Sequence, residues 1–357
     1  MIMPSSATTN RKGWIDISKG IGIILVVIGH VLSAQSCALR FIYLFHMPLF
    51  FIFSGYFYKS QTSMSEVKTY FCKKLKRLWW PYLYWGIPFL LISPCLVGFG
   101  YEDAGWDNSK ELLVRLLQMI FLMDHHYGEA QPGFWFLKTL FQASVLTSLL
   151  MYACKKIKAI PEWTIFPLLV CAACCLSYWQ LPIFHKTCFG AVYAGIYMLI
   201  GYYYRRVEAF LPTNWVAIIV LLLAIIIGSR LYRGHGFLEA DNLYMVISGI
   251  FFAVSGTICT FGISKKLCQL KISHLLEYIG DNTLIILALH APVIRIINVV
   301  MVFLFGMPSE HMNEQFFPNY VPGLWILYAI LGISVPIAIK RLSLHLSAIG
   351  LKIMTRK

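Results

Sequence analysis

Long apolar runs dominate this chain, and each is long enough to cross a lipid bilayer. A hydrocarbon core of about 30 Å requires roughly 20 predominantly apolar residues in a helix. The runs lie at about 15–34, 41–58, 78–98, 134–153, 163–180, 187–204, 212–229, 242–263, 282–305 and 320–339. Because 59% of the residues are apolar and only 13% are charged, a soluble domain could not bury this much apolar surface. The sequence therefore predicts an all-α polytopic integral membrane protein with about ten transmembrane helices.

The basic residues between these runs predict the topology. The chain has 30 Lys and Arg residues and a formal net charge of +14. Most of them fall in the cytoplasmic connections when the N-terminus is placed in the cytoplasm, as the positive-inside rule requires. These basic residues are distributed among the connections between the apolar runs and are not gathered in one basic surface or terminal segment, which argues against nucleic acid as a partner. We expect a single transmembrane domain over residues 1–357, with segments 1–12 and 340–357 both in the cytoplasm.

Two connecting segments have helical patterns of their own. In the outer segment at about 99–133, the leucines between Glu111 and Met123 recur at helical spacing, which predicts an amphipathic helix on the membrane surface. A helix in that position can cover an outward-facing pocket. The inner segment 59–77 also has a helical pattern and ends in a basic cluster.

The first apolar run carries ionisable residues on one stripe. At about 100° per residue, Lys19 and His30 lie on the same side of a helix about 16 Å apart, and Asp16 joins them. Ionisable groups inside a membrane span are costly and indicate a functional site. A neutral imidazole at His30 can accept a proton from an alcohol, which is the task of a general base in acyl transfer, or it can simply hydrogen-bond between helices. Lys19 can pair with Asp16, bind an anionic ligand or extend to the lipid headgroups.

The second apolar run adds another imidazole. His46 lies just inside the near end of this run, and the short connection predicts a hairpin with His30 and His46 at similar depth. His46 therefore either contacts substrate or His30, or makes a structural hydrogen bond.

A basic cluster precedes the third run. Lys73, Lys74, Lys76 and Arg77 lie directly before an aromatic stretch that begins at Trp79. Such clusters enforce topology or bind anionic headgroups. A basic collar beside an aromatic entrance also suits a phosphorylated cofactor, because Arg binds phosphate bidentately.

Later runs contribute four further polar or aromatic candidates. Trp135 and Lys138 mark the outer end of the fourth run, where an aromatic belt explains the Trp. His290 and Arg295 lie within the ninth run, and a buried Arg there requires a partner or a water-filled cavity. Asn282, at the start of the ninth run, has the position of a helix N-cap.

At these residues the sequence resembles the membrane acyltransferase-3 family, and in particular its fucose 4-O-acetylase-like branch. The resemblance spans most of the chain. It rests on Ile15 to Gly20, Val26 to His30, Phe45 to Tyr56, Lys74 to Arg77 with Pro81-Tyr82, Phe134 to Leu137, Ile279 to Leu284 and His290 to Pro292.

The resemblance implies an enzyme that transfers an acyl group from cytoplasmic acyl-coenzyme A to a carbohydrate hydroxyl at or beyond the outer face. It makes His30 the expected catalytic histidine and Lys74 with Arg77 the expected donor-binding residues. We add Asp16, Lys19 and His46 to the catalytic group, and assign Trp135, His290 and Arg295 to substrate binding.

The expected donor is acetyl-CoA, with no metal. The expected acceptor is a cell-surface or lipid-linked glycan, the expected location is the plasma membrane of a bacterium, and membrane lipids surround the protein. The alternative is a transporter or flippase of lipid-linked sugars, which ten spans with intramembrane charges fit equally well.

Overall fold

The computed structural model describes residues 13–33, 36–97, 106–123, 133–157, 160–179, 189–211, 214–231, 243–306 and 323–354. Within these ranges the chain is helical and contains no strand. The helices are α1 Gly13–Gly29, α2 Cys37–Tyr43, α3 His46–Tyr56, α4 Met64–Lys74, α5 Trp80–Val97, α6 Ser109–Leu122, α7 Phe134–Ile157, α8 Ile165–Trp179, α9 Gly190–Val207, α10 Trp215–Leu231, α11 Leu243–Leu267, α12 Ser273–Asp281, α13 Thr283–Phe305 and α14 Leu324–Met354.

Several helical segments in the described ranges are long and apolar enough to cross a membrane. The five segments are Cys37–Tyr56, Phe134–Ile157, Tyr244–Leu267, Thr283–Phe305 and Leu324–Ala348. Two shorter apolar helices, Glu162–Leu176 and Trp215–Leu231, accompany them. The predicted all-α membrane class is confirmed, and the count of ten spans stays a prediction.

The second apolar run differs from the prediction because it is divided. The single helix expected at 41–58 is two helices, α2 and α3, separated at Leu44 and Phe45. Pro48 has no N–H to donate to the carbonyl of Leu44, so an unbroken helix would lose a bond there. The break places His46 at the first residue of α3.

The segment 59–77 is helical from Met64 onward, as its pattern predicts. Ser63 caps α4 by accepting from the N–H of Glu66. The chain then passes through a π-helical turn, Leu75–Trp79, and continues directly into α5. Single π-helical turns occur often at functional sites, and this one lies at the basic cluster.

Glycines bring α3 and α9 into backbone contact. A Cβ added at Gly55 would overlap the carbonyl oxygen of Met198, and one added at Gly201 would overlap the carbonyl oxygen of Ile52. Small residues at helix crossings allow this close approach, which is a principal source of packing energy between membrane helices. α3, the helix that carries His46, is therefore held tightly against α9.

The same kind of contact joins α1 to α12. A Cβ at Gly20 would overlap the carbonyl oxygen of Leu276, and a Cβ at Gly280 would overlap that of Asp16. Because α13 follows α12 after a single residue, this contact also fixes the start of α13 against α1.

A polar cluster joins the C-terminal ends of α3, α9 and α11. The Tyr56 hydroxyl donates to Oε2 of Glu208 at 2.6 Å, and Nζ of Lys265 lies 3.0 Å from Oε1 of the same carboxylate. Tyr56 ends α3, Glu208 follows α9, and Lys265 belongs to the last turn of α11. The cluster fixes the end of α3 that is remote from His46.

The helix predicted between Glu111 and Met123 is present as α6, and its position on the membrane surface stays a prediction. Asn108 caps it by accepting from the N–H groups of Lys110 and Glu111. Its outward side exposes large apolar side chains, among them Leu113, Leu117 and Phe121. An exposed apolar stripe of this kind fits a helix that contacts lipid.

The prediction that Asn282 caps α13 with its side chain is wrong. Asn282 precedes α13 but its side chain makes no capping bond. Its Nδ2 instead donates to the carbonyl of Tyr278 at 2.7 Å, and its Oδ1 accepts from Nζ of Lys340 at 2.7 Å. Asn282 thereby joins α12 to α14, because the side chain turns back toward α12.

Candidate active site

His30 lies immediately after α1 and not inside it. The predicted helix 15–34 ends at Gly29, whose missing Cβ leaves room for the ring of Tyr43. Beyond Gly29 the backbone bonds mix three- and four-residue spacings, as in the bonds from the N–H groups of Val31 and Leu32 to the carbonyl of Ile28. His30 lies eleven residues after Lys19, which corresponds to about three helical turns.

The structure brings two other imidazoles to His30. The ring of His290, from α13, lies with its centre 5.1 Å from that of His30. His46, from the start of α3, is within electrostatic range of His30. His46 and His290 are both buried, whereas His30 keeps an intermediate exposure. The predicted proximity of His30 and His46 is therefore present, and His290 joins them from the other end of the sequence.

Backbone carbonyls orient two of these rings. Nδ1 of His46 lies 2.9 Å from the carbonyl oxygen of Ile42. Nδ1 of His290 lies 2.9 Å from that of Ile286 and 3.0 Å from that of Leu287. A carbonyl oxygen can only accept, so Nδ1 carries the proton in both rings and Nε2 is the bare nitrogen of the neutral form.

Asp16 and Lys19 form an ion pair at the opposite end of α1. Nζ of Lys19 lies 2.9 Å from Oδ1 of Asp16. Asp16 is buried and Lys19 is half-buried. The pairing predicted for these residues is present, but about 16 Å of helix separates Lys19 from His30.

Lys74 belongs to a second polar site, near the end of α3 that is remote from His46. Its Nζ donates to Oγ of Ser54 at 2.9 Å and lies 5.3 Å from the ring centre of Tyr70. Burial, together with the nearby charge of Arg77, lowers the pKa of Lys74 to about 8. Arg77 is exposed in the π-helical turn. Two cations this close, one of them half-buried, favour an anion as ligand.

The two polar sites lie at opposite ends of α3. Ser54, which binds Lys74, is eight residues from His46, or about 12 Å along the helix axis. Phe50 lies between them and packs edge to face against Phe136 with ring centres 5.7 Å apart. The two polar sites therefore lie about 12 Å apart on one helix, with the packed ring of Phe50 between them.

The remaining predicted residues lie on α7 and α13. Trp135 follows Phe134, the first residue of α7, and is half-buried. A Cβ at Gly133 would lie 2.7 Å from Cδ1 of Leu287, one turn before His290, so the start of α7 is close to the histidine cluster. Arg295 is buried in α13 beyond His290 and has interaction partners there.

Sequence analysis missed three contact residues. Tyr43 stacks on His46 with ring centres 5.0 Å apart, and its hydroxyl donates to the carbonyl of Gly29 at 3.3 Å. Nζ of Lys74 lies over the ring of Tyr70 and donates a hydrogen bond to Oγ of Ser54. Helical spacing could have indicated the two tyrosines, which lie three and four residues before His46 and Lys74. The Ser54 contact joins different helices and has no local signal.

Among the described residues, no group of three or more His, Cys, Asp or Glu side chains is arranged to hold a metal ion. The cluster instead offers imidazole nitrogens as proton acceptors.

Comparison with known families decides the class of protein. The family model of an acyltransferase domain matches residues 12–341, which is nearly the whole chain and includes every residue of both polar sites. The chain belongs to the acyltransferase-3 family. This member of the acyltransferase-3 family is an integral membrane protein. Membership in the fucose 4-O-acetylase-like branch stays a prediction.

One curated relative of the acyltransferase matches part of the chain. The nodulation protein NolL of Sinorhizobium fredii (strain NBRC 101917 / NGR234) is 37% identical over 95 residues. The match covers 23% of this chain and 25% of NolL, so the chain spans about a quarter of the length of this relative. No solved structure matches the chain.

Proposed function

We propose that this acyltransferase moves acetyl from acetyl-CoA to a hydroxyl of a cell-surface or lipid-linked carbohydrate. It acts in a bacterial plasma membrane with both termini in the cytoplasm. The observation that carries the proposal is the pair of polar sites at the two ends of α3. One holds a half-buried lysine beside an arginine, and the other holds three imidazoles.

The inner site suits the phosphates of coenzyme A. Lys74 is held by Ser54 and Tyr70, and Arg77 extends from the π-helical turn beside it. A phosphate bound there restores the charge balance of the buried ammonium, and Arg adds bidentate hydrogen bonds. From this site the flexible arm of the donor extends along α3 and brings its thioester to His30.

The histidine cluster suits transfer to an alcohol. His30 takes the proton of the acceptor hydroxyl, and the resulting oxygen nucleophile attacks the thioester carbonyl. The tetrahedral intermediate collapses with cleavage of the carbon–sulfur bond, and the protonated His30 returns its proton to the coenzyme A thiolate. The products are an acetyl ester and free coenzyme A. His46 helps to keep the cluster polar, and Asp16 and Lys19 keep the inner end of α1 ordered.

The acceptor approaches from the outer face. Trp135 at the start of α7 provides an aromatic surface of the kind that packs on sugar rings, and Arg295 provides hydrogen-bond donors for hydroxyl groups. The apolar stripe of α6 contacts lipid and suits an acceptor that is itself anchored in the membrane.

The proposal is tested with the purified protein in sealed vesicles. Acetyl-CoA labelled in the acetyl group is supplied on the side of Arg77, and a lipid-linked oligosaccharide is placed in the membrane. We expect label in the oligosaccharide, released by mild base as an ester, and a much slower reaction with succinyl-CoA. Movement of unmodified oligosaccharide across the membrane without label transfer would support the transporter alternative and contradict the proposal.

We expect donor binding to weaken as the pH rises through about 8. The lowered pKa of Lys74 means that its ammonium loses the proton in this range, so the charge that binds phosphate is lost. Burial raises the pKa of Tyr70 to about 12, so this neighbour stays neutral, and Arg77 stays charged. The KM for acetyl-CoA should rise roughly tenfold between pH 7 and pH 9.

The control for this pH dependence is Lys74→Arg. Its guanidinium keeps the charge throughout the range, so the KM for acetyl-CoA should vary little between pH 7 and pH 9. The same slope in both proteins would assign the effect to another group and remove Lys74 from the donor site.

A further inference from the structure

Two buried nitrogen atoms on neighbouring imidazole rings have no hydrogen-bond partner. They are Nδ1 of His30 and Nε2 of His290. This holds for the part of the chain that the structure describes. A buried polar atom without a partner costs free energy, so each such atom in a native protein requires an explanation.

The two atoms are complementary. Nδ1 of His290 is the protonated nitrogen, because it lies 2.9 Å and 3.0 Å from the carbonyl oxygens of Ile286 and Leu287. Its Nε2 is therefore a lone-pair acceptor. The neutral His30 ring can place its single proton on Nδ1, which makes that atom a donor. With ring centres 5.1 Å apart, a rotation of the His30 ring or one intervening water molecule can join the two nitrogens by hydrogen bonds.

We propose that His290 is the positioning residue for His30. Its Nε2 accepts the Nδ1–H of His30, directly or through one water molecule. This inference rests on the proposed function and assigns His290 a role in orienting the base, in place of substrate binding. It accounts for both unpartnered atoms.

The bond decides which nitrogen of His30 is basic. With the proton held on Nδ1 by His290, Nε2 of His30 carries the lone pair that takes the proton of the acceptor hydroxyl. When Nε2 becomes protonated, the positive charge of the ring is shared with the Nδ1–H···Nε2 bond, which strengthens as a charge-assisted bond. A base oriented by a third group in this way is a general device of nucleophile activation.

Two substitutions at residue 290 separate the positioning role from others. In His290→Asn the amide keeps a donor near the position of Nδ1 but has no acceptor at that of Nε2. We expect kcat to fall roughly 10- to 100-fold, with the KM values for both substrates unchanged. In His290→Gln the longer side chain carries its carbonyl oxygen to the position of Nε2, and most of kcat should return.

The matched control is His274→Asn. His274 is an exposed histidine on α12 outside both polar sites, and this variant should keep the full rate. Thermal unfolding of all variants in detergent reports whether each protein is folded.

A double substitution completes the test. Added to His30→Gln, the His290→Asn substitution should cause no further loss of the residual rate, because there is no base left to position. An unchanged kcat with a raised acceptor KM in His290→Asn would return His290 to substrate binding. If His290→Asn lowers the rate by the same factor in the wild-type protein and in His30→Gln, or if His290→Gln is as slow as His290→Asn, the role of His290 is structural. Each of these three contrary results overturns this inference only. A full rate in His30→Gln would instead overturn the proposed function itself.

Discussion

His30→Ala is expected to lower the rate of acyl transfer by a factor of about 10² to 10⁴. This is the range that a positioned general base contributes to a reaction. The variant removes the one imidazole of the cluster that keeps an intermediate exposure, so no other ring is equally placed to meet a substrate hydroxyl. The measurement is the initial rate of label transfer from acetyl-CoA at equal amounts of folded protein.

Chemical rescue distinguishes a missing base from a damaged fold. Imidazole added to His30→Ala should restore part of the rate in proportion to its concentration, because the space left by the side chain accepts a free imidazole. His30→Gln, which fills that space and has no basic nitrogen, should be equally slow and should not respond. If the loss in His30→Ala follows a lower yield of folded protein, and imidazole has no effect, His30 is a packing residue.

Gly201→Ala is expected to disrupt the protein far more than its size suggests. In a helix, Ala is ordinarily about 1 kcal/mol more favourable than Gly. At this position, however, the added Cβ would overlap the carbonyl oxygen of Ile52, a backbone atom that can move only with the whole of α3. Overpacking of this kind costs about 1–3 kcal/mol, and the melting temperature in detergent should fall by several degrees.

The matched control lies two turns earlier on α9. At Gly195 an added Cβ would approach Cδ1 of Leu169 at 3.2 Å, and this flexible end of a side chain can move aside. Gly195→Ala should therefore leave the melting temperature unchanged or raise it slightly. Equal melting temperatures for the two alanine variants would show that α3 and α9 are not in backbone contact. Activity should fall with Gly201→Ala, because displacement of α3 moves His46 and Ser54 together.

Local and short-range features of this chain could be predicted from its sequence. The apolar runs gave the membrane class, the helical spacing of the leucines indicated α6, and the short connection after the first run placed His46 near His30. The ion pair of Asp16 with Lys19 also follows from their spacing of three residues. Each of these depends on periodicity or on a short loop.

Long-range contacts could not be predicted in the same way. The sequence contains 259 residues between His30 and His290, and tertiary packing, including that of α12 on α1, brings α13 alongside. The hydrogen bond from Lys74 to Ser54 likewise joins different helices. The break between α2 and α3 has a local cause, Pro48. The position of His46 depends on the residue at which α3 begins, and apolar composition alone does not predict that residue.

The glycine contacts limit how far the helices of the protein can move relative to each other during turnover. Helices that touch through bare backbone, as α3 does with α9 and α1 does with α12, cannot slide or tilt past each other without atomic overlap. We therefore expect these pairs to stay fixed throughout the cycle, unlike the rocking bundles of carriers that open alternately to each side. Under the proposed function, the donor's own flexible arm would then span the roughly 12 Å between Ser54 and His46, so we expect the length of that arm to limit which donors react.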